Sequence, residues 1–374
     1  MGDRLRIVFT GDISFSKYMA EGWKGEGCIS REVDEYLRAA DDTVANLESP
    51  MTDSQSKDGR FIHTSPTAAG RYLAEHTIRI WNIANNHTAD LGETGLMDTL
   101  HSARDSVCST LGAGLDEDEA FRPVILGETV KVGLLSMVQS WQKLPAAAKD
   151  TPGVAMWNRT KEIRKRVEAL RTQVDWIVFV VHGGGEFCDV PMPYMRQKFM
   201  ELLELGADVI VAHHPHVVQP YEYVDGKLIL YSLGNFIFDT DFQREFPHTS
   251  AGVLAGLEFT KDAFTLDHMA YRIDRQSHRI VPGPTPAVFR EINAEGYGYI
   301  WPLAARGYHR NMMKKEAVLG KRWVRSKLLT HLHVARSWRK KEGRTVQLGR
   351  WRSYFRKWDR PEYRELFDYL RSAE

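Results

Sequence analysis

Side chains that can bind metal ions follow the short apolar segments of this chain, one segment after another. Their carboxylate, amide and imidazole groups belong to Asp12, Glu48, Asn86, His87, Asp90, His182, Glu186, His213, His214, His216 and Asn235. Oxygen and nitrogen ligands of this kind suit Mn, Fe, Zn or Mg, and they do not suit copper or an iron–sulfur cluster. Two such metals about 3.5–4 Å apart can clamp the attacking and leaving oxygens of a phosphoryl displacement. The residue types therefore predict a hydrolytic centre for divalent metals, with two as the expected number.

Each of these residues also has a structural explanation when it is taken alone. An Asp after a strand, such as Asp12, is often a turn residue or a helix cap, and the pair at 85–86 (Asn-Asn) is compatible with an Asx-turn. His87 alone is compatible with a buried histidine that bonds to backbone. The segment 213–216 (His-His-Pro-His) is harder to explain, because it has three histidines in four residues. The functional interpretation depends on the repetition at successive strand ends.

The elements that must position these side chains alternate between strands and helices. Short β-branched apolar runs predict strands at Leu5–Thr10, Thr43–Leu47, Ile78–Ala84, Val130–Val138, Asp175–Val181, Asp208–Ala212 and Leu228–Leu233. Apolar residues at helical spacing predict helices at Arg31–Ala40, Ser65–His76, Glu93–Ser106, Arg159–Thr172 and Pro193–Leu205. This alternation predicts an α/β layered fold with both sheet faces covered. Two later runs without an intervening helix, Gly252–Thr260 and Phe264–Ile273, predict antiparallel strands. Ligands of open α/β sheets gather at the carboxyl ends of strands, where the polar residues lie.

The composition is typical of a globular protein, with 43% apolar and 26% charged residues in a chain of 374. Cys28, Cys108 and Cys188 are far apart and form no CxxC motif. This spacing argues against a disulfide framework or a structural zinc site, and it suits a reducing compartment. The N-terminus has no signal-peptide pattern, and no apolar run approaches the roughly 20 residues of a transmembrane helix. We therefore expect a cytoplasmic location, or a peripheral one at the inner face of the membrane.

Charge divides the chain into an acidic body and a basic tail. Residues 301–374 contain 20 Lys and Arg against 7 Asp and Glu, which gives +13, and the rest of the chain carries −12. A Pro-rich segment at 281–287 predicts a boundary. The predicted domains are therefore 1–280 and a basic, Trp-rich, mainly helical extension at 288–374. Such a tail can bind an anionic membrane surface or a polyanion such as capsular polymer or nucleic acid. It can equally form a helical cap that packs its Trp side chains on the acidic body.

The order of the motifs resembles that of the CapA proteins, a family associated with capsule and poly-γ-glutamate synthesis within the calcineurin-like metallophosphatase superfamily. The resemblance covers roughly residues 4–275. Its most specific segments are 85–88 (Asn-Asn-His-Thr), 213–216 (His-His-Pro-His) and 231–236 (Tyr-Ser-Leu-Gly-Asn-Phe). Further matching segments are 9–12 (Phe-Thr-Gly-Asp), 45–48 (Ala-Asn-Leu-Glu), 65–66 (Ser-Pro) and 112–114 (Gly-Ala-Gly). The resemblance implies a four-layer α/β/β/α metallophosphatase-like fold.

The resemblance also implies how two metals would be held. Asp12 and His216 would bind one metal, Asn86, His182 and His214 would bind the other, and Glu48 would bridge the two. The superfamily usually has a metal-binding His where this chain has Ser14, and an Asp where it has Glu48. The first metal would therefore have the poorer set of ligands.

Other residues would act on the substrate. His87, with Asp90 beside it, would be the acid or the electrostatic stabiliser, and Glu186, His213 and Asn235 would lie behind the ligands or beside the substrate. The segment 182–184 (His-Gly-Gly) replaces the family's more usual His-Trp-Gly, which would open the wall of the pocket. His63 lies in the segment before Ser65 where an Arg is expected, which would alter substrate contacts.

Three functions are compatible with these features. The first is a CapA-like metal-dependent hydrolase of phosphoester type, acting on a phosphate ester or an anionic polymer in surface-polymer synthesis. The second is a non-catalytic accessory subunit of a polymer synthase complex. The third and least favoured, suggested by the basic aromatic tail, is a nucleotidase or nuclease.

Overall fold

Strands and helices alternate along the described chain, which comprises residues 3–54, 63–141 and 144–318 of a computed structural model. The strands are β1 (Leu5–Ile13), β2 (Asp42–Leu47), β3 (Ile78–Asn82), β4 (Ser109–Leu111), β5 (Ala113–Gly114), β6 (Val124–Leu126), β7 (Val132–Val138), β8 (Gly153–Val154), β9 (Trp176–His182), β10 (Val209–His213), β11 (Tyr221–Val224), β12 (Lys227–Leu230), β13 (Asn235–Ile237), β14 (Ala251–Phe259), β15 (Phe264–Asp274) and β16 (Arg279–Pro282). The helices are α1 (Arg31–Arg38), α2 (Ala69–Glu75), α3 (Gly92–Asp105), α4 (Glu117–Ala120), α5 (Thr160–Arg171), α6 (Pro193–Glu204), α7 (Asp241–Arg244) and α8 (Ala294–Val318), with a short 3-10 helix at Lys17–Met19.

The first sheet has the spatial order β16-β15-β14-β1-β2-β3-β4. Strands β1 to β4 run parallel to one another. Strand β14 pairs antiparallel with β1 and with β15, so the two later apolar runs form the expected antiparallel pair. Strand β13 pairs in parallel with the last residues of β1, which places Asn235 opposite Asp12.

The second sheet has the spatial order β11-β12-β10-β9-β7-β6. Its four central strands, β12, β10, β9 and β7, are parallel, and an antiparallel strand lies at each edge. All residues of β7 and β10 are buried. A continuous β-branched run such as Val209–Ala212 is typical of a strand that is covered on both faces.

Helices cover each sheet on the face that lies away from the other sheet. Helix α1 contacts β15 and β16, α2 contacts β3, and α3 contacts β4, while α5 and α6 contact β9 and β10 of the second sheet. The two sheets contact each other through β1 with β10 and through β4 with β7. The resulting order of helix, sheet, sheet and helix confirms the four-layer α/β/β/α prediction.

Helix α6 shows how the sequence builds one of these outer layers. Pro193 is at its start, where the missing N–H is not needed. Met195, Phe199, Leu202 and Leu203 recur at helical spacing and are buried. Gly206 follows with φ of +117°, so the chain turns directly into β10. The helix therefore fixes the strand that carries the histidine-rich loop.

The chain divides into two compact units, Met1–Trp301 and Pro302–Glu374. Residues 302–318 of the second unit are helical, as expected for the beginning of the basic extension. The remainder of the predicted helical extension, from residue 319 onward, lies outside the described residues, so the domain limits 1–280 and 288–374 remain predictions. Within the described ranges, no helix combines the length and the apolar character that membrane crossing requires.

Candidate metal centre

Five predicted ligands meet where the carboxyl ends of the two sets of parallel strands approach each other. Asp12 lies near the end of β1, Glu48 directly follows β2, and His182 is the last residue of β9. His214 and His216 lie in the loop after β10. All five side chains are buried, and those of Asp12, Glu48 and His182 have no exposed surface. The fold thus collects in its interior residues that are far apart in the sequence.

One group of ligand atoms is formed by Asp12, Glu48 and His216. Asp12 Oδ2 lies 3.3 Å from His216 Nδ1, and Glu48 Oε1 lies 3.4 Å from His216 Nε2. One ligand atom from each residue lies within 4.8 Å of the other two. Asn235 Oδ1 is 2.9 Å from His216 Nδ1 and can accept its proton, which would leave Nε2 free to bind a metal.

A second group is formed by Glu48, His182 and His214, with Asn86 beside them. Glu48 Oε1 lies 3.6 Å from His182 Nε2, which in turn lies 3.1 Å from His214 Nδ1. Asn86 Oδ1 is 2.7 Å from the same His182 nitrogen. Glu48 Oε1 therefore faces both groups, the position that a bridging ligand would occupy.

Buried polar atoms without hydrogen-bond partners are concentrated at this centre. Of the seven such side-chain atoms in the described part of the chain, four are Asp12 Oδ2, Glu48 Oε1, His182 Nδ1 and His213 Nδ1. A buried polar atom without a partner is destabilising. A divalent cation would supply the missing partner for the two carboxylate oxygens. The residues present therefore fit divalent metal ions, and their oxygen and nitrogen ligands suit Mn, Fe, Zn or Mg.

The electrostatics of the centre also suit cations. Burial alone would raise the pKa of Asp12, but the adjacent imidazoles of His213 and His216 outweigh it and hold that pKa well below its ordinary value. Burial, and after it the charge of Asp12, raise the pKa of Glu48 well above its ordinary value. Burial, and after it the neighbouring His214, lower the pKa of His182, so this imidazole is neutral, as a metal ligand must be.

Backbone strain marks the loop that carries the histidines. His214 has φ of +102° and His216 has φ of +59°. Phe187, whose N–H donates to Pro215 O at 2.8 Å, has φ of +58°. Non-glycine residues in such conformations cost on the order of 1–3 kcal/mol each, and they cluster at functional sites. The strain supports a functional interpretation of this loop.

A close approach of two backbones places Asp12 beside Asn235. Asp12 N–H donates to Gly234 O at 3.0 Å. A Cβ atom at Gly11 would lie 2.1 Å from the same oxygen, so a side chain there would push the strands apart. Glycine at position 11 therefore allows β13 to pair with the end of β1.

His87 and Asp90 lie on the loop after β3, at the edge of the centre. His87 Nδ1 is 2.8 Å from Asp90 Oδ2, and about a quarter of each side chain is exposed (25% and 22%). The Asn85 side chain accepts from His87 N–H at 3.1 Å and donates to Leu47 O at 2.7 Å. These bonds tie the loop to the end of β2, next to Glu48.

Three further predicted residues lie around the ligands. His213 Nδ1 is 3.3 Å from Asp12 Oδ1, and Asn235 contacts His216 as described above. Glu186 is half-buried, and its negative charge adds to the burial and the Asp12 charge that raise the pKa of Glu48. Ser14, in the place of a usual ligand, donates to Ser16 Oγ at 3.0 Å.

His63 forms part of the wall beside His87. Its ring lies 4.9 Å from the His87 ring and 5.1 Å from that of Phe238, and its Nδ1 is 3.2 Å from Ser16 Oγ. Burial, together with His87 and His216, lowers its pKa to about 3. A neutral imidazole thus stands in the segment where the resemblance led us to expect an arginine.

The loop after β7 contributes a second wall that the sequence analysis did not identify. The Trp141 ring lies 5.1 Å from the His214 ring and 6.2 Å from the His182 ring. A Cβ atom at Gly183 would lie within 3.0 Å of both Gln139 and Trp157. A larger side chain at this position would therefore require these two neighbours to move. The available signal was the predicted strand Val130–Val138, to whose end no site residue had been assigned.

The four-layer fold and the buried carboxylates and imidazoles at its facing strand ends define a metallophosphatase-like protein. Residues 6–240 match the family described as Bacterial capsule synthesis protein PGA_cap. This match covers well over half of the chain, so the chain belongs to that family. The resemblance to the CapA proteins is thereby confirmed.

Two relatives illustrate how far the similarity extends. The chain is 32% identical over 249 residues to the PGA biosynthesis protein CapA of Bacillus subtilis, covering 65% of each protein. It is 28% identical over 253 residues to the capsule biosynthesis protein CapA of Bacillus anthracis, covering 65% of this chain and 62% of that protein. The chain thus matches somewhat less than two thirds of the length of these relatives. Among solved structures, the NAD nucleotidase of Haemophilus influenzae aligns over 82% of this chain and 60% of its own, with a TM-score of 0.42 and 8% identity.

Proposed function

We propose that this chain is a metal-dependent hydrolase of the phosphoester type that acts in the synthesis of capsule, poly-γ-glutamate or a related anionic surface polymer. The observation that carries the proposal is the position of Glu48 Oε1, which lies 3.4 Å from His216 Nε2 and 3.6 Å from His182 Nε2. One buried carboxylate oxygen that faces two separate imidazole groups is the arrangement expected for two metals with a shared ligand. When bound, two divalent metals at such a centre supply Lewis acidity to the oxygens of a phosphoryl group.

The residues around the ligands have roles that follow from their contacts. Asp90 accepts a hydrogen bond from His87 Nδ1 and fixes the orientation of the ring, so Nε2 is the atom that can give a proton to a leaving oxygen. His87 is partly exposed, whereas the ligands are buried, so it is accessible to a substrate that reaches the centre. Trp141 covers the rings of His182 and His214 and limits the access of water to them.

Membership of the capsule synthesis family supports a role in the synthesis of an anionic surface polymer. The names of the two relatives refer to capsule and PGA biosynthesis. We extend that role to this chain, with an anionic polymer or a phosphoester as the substrate and a synthase complex as the partner. Two divalent metals, chosen from Mn, Fe, Zn and Mg, are the proposed cofactors.

Turnover of a generic phosphodiester tests the proposal. Purified full-length protein, loaded with Mn²⁺, should hydrolyse bis(4-nitrophenyl) phosphate. The His214→Ala variant should lose roughly 100-fold or more of this activity, because it lacks a ligand of the second group. Retention of full activity by His214→Ala, or the absence of turnover across a panel of mono- and diesters, would contradict the hydrolase proposal.

An accessory role without turnover is the second candidate, and the first metal group favours it. That group contains only Asp12, Glu48 and His216 among the described residues, and Ser14 bonds to Ser16 in the place of a further ligand. A metal held by fewer protein ligands binds less tightly, and loss of the first metal would leave the centre without the pair that the hydrolase proposal requires. Co-purification with a polymer synthase together with an inert substrate panel would favour this candidate.

A further inference from the structure

A row of buried polar side chains crosses the first sheet and ends at the metal centre. Asp12 on β1, Asn46 on β2 and Asn82 on β3 are paired in register across adjacent parallel strands. All three are fully buried. Glu48 lies two residues after Asn46, the spacing that returns a side chain to the same face of an extended chain. Asn46 therefore stands beside both carboxylates of the centre.

The amide of Asn46 donates to one oxygen of each carboxylate. Its Nδ2 lies 2.8 Å from Asp12 Oδ1 and 3.4 Å from Glu48 Oε2. The remaining oxygens, Asp12 Oδ2 and Glu48 Oε1, are the two carboxylate atoms that have no hydrogen-bond partner and that face the histidines. In each carboxylate, therefore, one oxygen accepts a hydrogen bond from Asn46 and the other faces the metal centre.

The orientation of the Asn46 amide follows from an unambiguous donor just after the neighbouring strand β3. The backbone N–H of Ala84 donates to Asn82 Oδ1 at 3.2 Å, and the Ser136 hydroxyl donates to the same oxygen. Asn82 Nδ2 must then face Asn46 Oδ1, and it lies 2.9 Å away. Asn46 Oδ1 is occupied by this bond, so its Nδ2 faces the carboxylates. A flipped amide would place an oxygen against both carboxylates and a nitrogen against the Asn82 nitrogen.

We propose that Asn46 is the positioning residue of the metal centre, which orients Asp12 and Glu48 so that one oxygen of each is directed at the metals. An amide NH₂ group has two protons, which match its two acceptors. The donor also lies between the two buried carboxyl groups and stabilises their close approach. Asn82, which Ser136 holds in turn, acts through Asn46 by fixing the orientation of its amide. The inference rests on the proposed metal centre and is independent of turnover.

Mn²⁺ binding to the full chain tests this role without an activity measurement. The affinity is measured by the loss of the free-ion electron paramagnetic resonance signal, and circular dichroism checks that each variant is folded. Asn46→Leu has nearly the same size but no donor, and it should weaken Mn²⁺ binding by roughly 10–100-fold. Asn82→Leu leaves both carboxylates and Asn46 in place but frees the Asn46 amide to rotate. It should therefore produce a smaller loss of Mn²⁺ affinity than Asn46→Leu.

Thr43→Val is the matched control on the same strand. Thr43 is fully buried and lies 3.4 Å from Thr77 Oγ1, away from the centre, so its variant removes a buried hydroxyl from β2 alone. Its Mn²⁺ affinity should equal that of the unaltered protein. Equal weakening by Thr43→Val and Asn46→Leu would overturn the proposal, because it would indicate general loosening of the strand.

The remaining outcomes separate this inference from the proposed function. Unchanged affinity in Asn46→Leu, in a chain that itself binds Mn²⁺, would overturn the positioning role and leave the metal centre standing. An unaltered chain that binds no Mn²⁺ would overturn both. Tight Mn²⁺ binding that depends on Asn46, without hydrolysis of any ester, would support the positioning role and contradict the hydrolase proposal.

Discussion

His182 Nε2 and His214 Nδ1 face each other 3.1 Å apart in the interior of the protein. Glu48 Oε1 and Asn86 Oδ1 lie 3.6 Å and 2.7 Å from the same His182 nitrogen. Four polar atoms that converge in this way satisfy one another poorly, because burial keeps His182 neutral and leaves few protons to share. A cation between them would satisfy all four. The relationship explains why a fold with so many apolar core residues retains this cluster.

Removal of the metals should destabilise the folded chain. The ion binds the native cluster but not the unfolded chain, so it raises the free energy of unfolding by mass action. At free Mn²⁺ about 100 times its dissociation constant, the gain is about 2.7 kcal/mol. Calorimetry with and without EDTA should show a lower midpoint for the chelated protein. A midpoint that EDTA does not change in the unaltered chain, under conditions where EDTA lowers that of a known metalloprotein, would contradict the expectation.

Substitution of His87 should slow hydrolysis without removing metal. His87→Asn loses the proton donor beside Asp90, and loss of a general acid costs on the order of 10²–10⁴-fold. The loss should be larger for a poor alkoxide leaving group than for 4-nitrophenolate, which needs no proton. The exposed His101 on α3 provides the control variant His101→Asn, which should retain full activity. Equal losses on both leaving groups would contradict an acid role for His87.

Gly11→Ala should disturb the centre through the backbone. The added Cβ would lie 2.1 Å from Gly234 O and must push β1 away from β13. We expect a loss of about 1–3 kcal/mol in the free energy of unfolding, together with weaker Mn²⁺ binding because Asp12 moves. Gly298→Ala, where nothing lies within 4 Å of the new Cβ, is the control and should be neutral or slightly stabilising. Denaturant titration checks both, and a neutral Gly11→Ala would show that the strands lie farther apart.

The Arg6–Asp267 ion pair predicts a pH dependence of stability away from the centre. The hydrogen bond from Arg6, which outweighs partial burial, lowers the pKa of Asp267, and Tyr36 also donates to this carboxylate. A carboxyl group whose pKa is lower in the folded state stabilises the fold above its unfolded pKa of about 3.9, and this stabilisation is lost as the pH falls through the folded pKa. Asp267→Asn should therefore be less stable than the unaltered chain by about 1 kcal/mol or less at pH 7.

The difference between the two proteins should disappear in acid. Thermal unfolding at pH 7 and at a series of values below pH 4 should show the midpoints converging as the carboxyl group takes up its proton. Asp262→Asn, in the exposed turn of the same hairpin, is the matched control and should follow the unaltered chain throughout. A gap between Asp267→Asn and the unaltered chain that is independent of pH would indicate a loss of packing and not of charge.

Much of the fold was predictable because the apolar runs of the strands are continuous and the helices between them show a clear helical spacing of apolar residues. The runs at Ile78–Ala84 and Asp208–Ala212 became β3 and β10, and the antiparallel pairing of β14 with β15 followed from the absence of a helix between them. The division into two sheets was implied only by the family resemblance. Periodicity identifies a strand but does not tell which of two sheets it joins.

The candidate ligands were predictable as a set because each follows a strand, but their geometry was not. Nothing in the spacing indicates that Glu48 Oε1 faces both His182 and His216. Trp141 was missed because an aromatic residue in a loop is ordinary by composition. Asn46 was missed because it lies inside a strand, where a buried polar residue is recognised only when its partners on β1 and β3 are known.

Metal analysis of the purified protein is the most direct test of the two-metal centre. After exposure to Mn²⁺ and removal of the excess, plasma mass spectrometry should find close to two metal ions per unaltered chain. His214→Ala and His216→Ala should each hold close to one, because each removes a ligand from only one of the groups joined by Glu48. An unaltered chain that retains no metal, or two single variants that both keep two ions, would contradict the account.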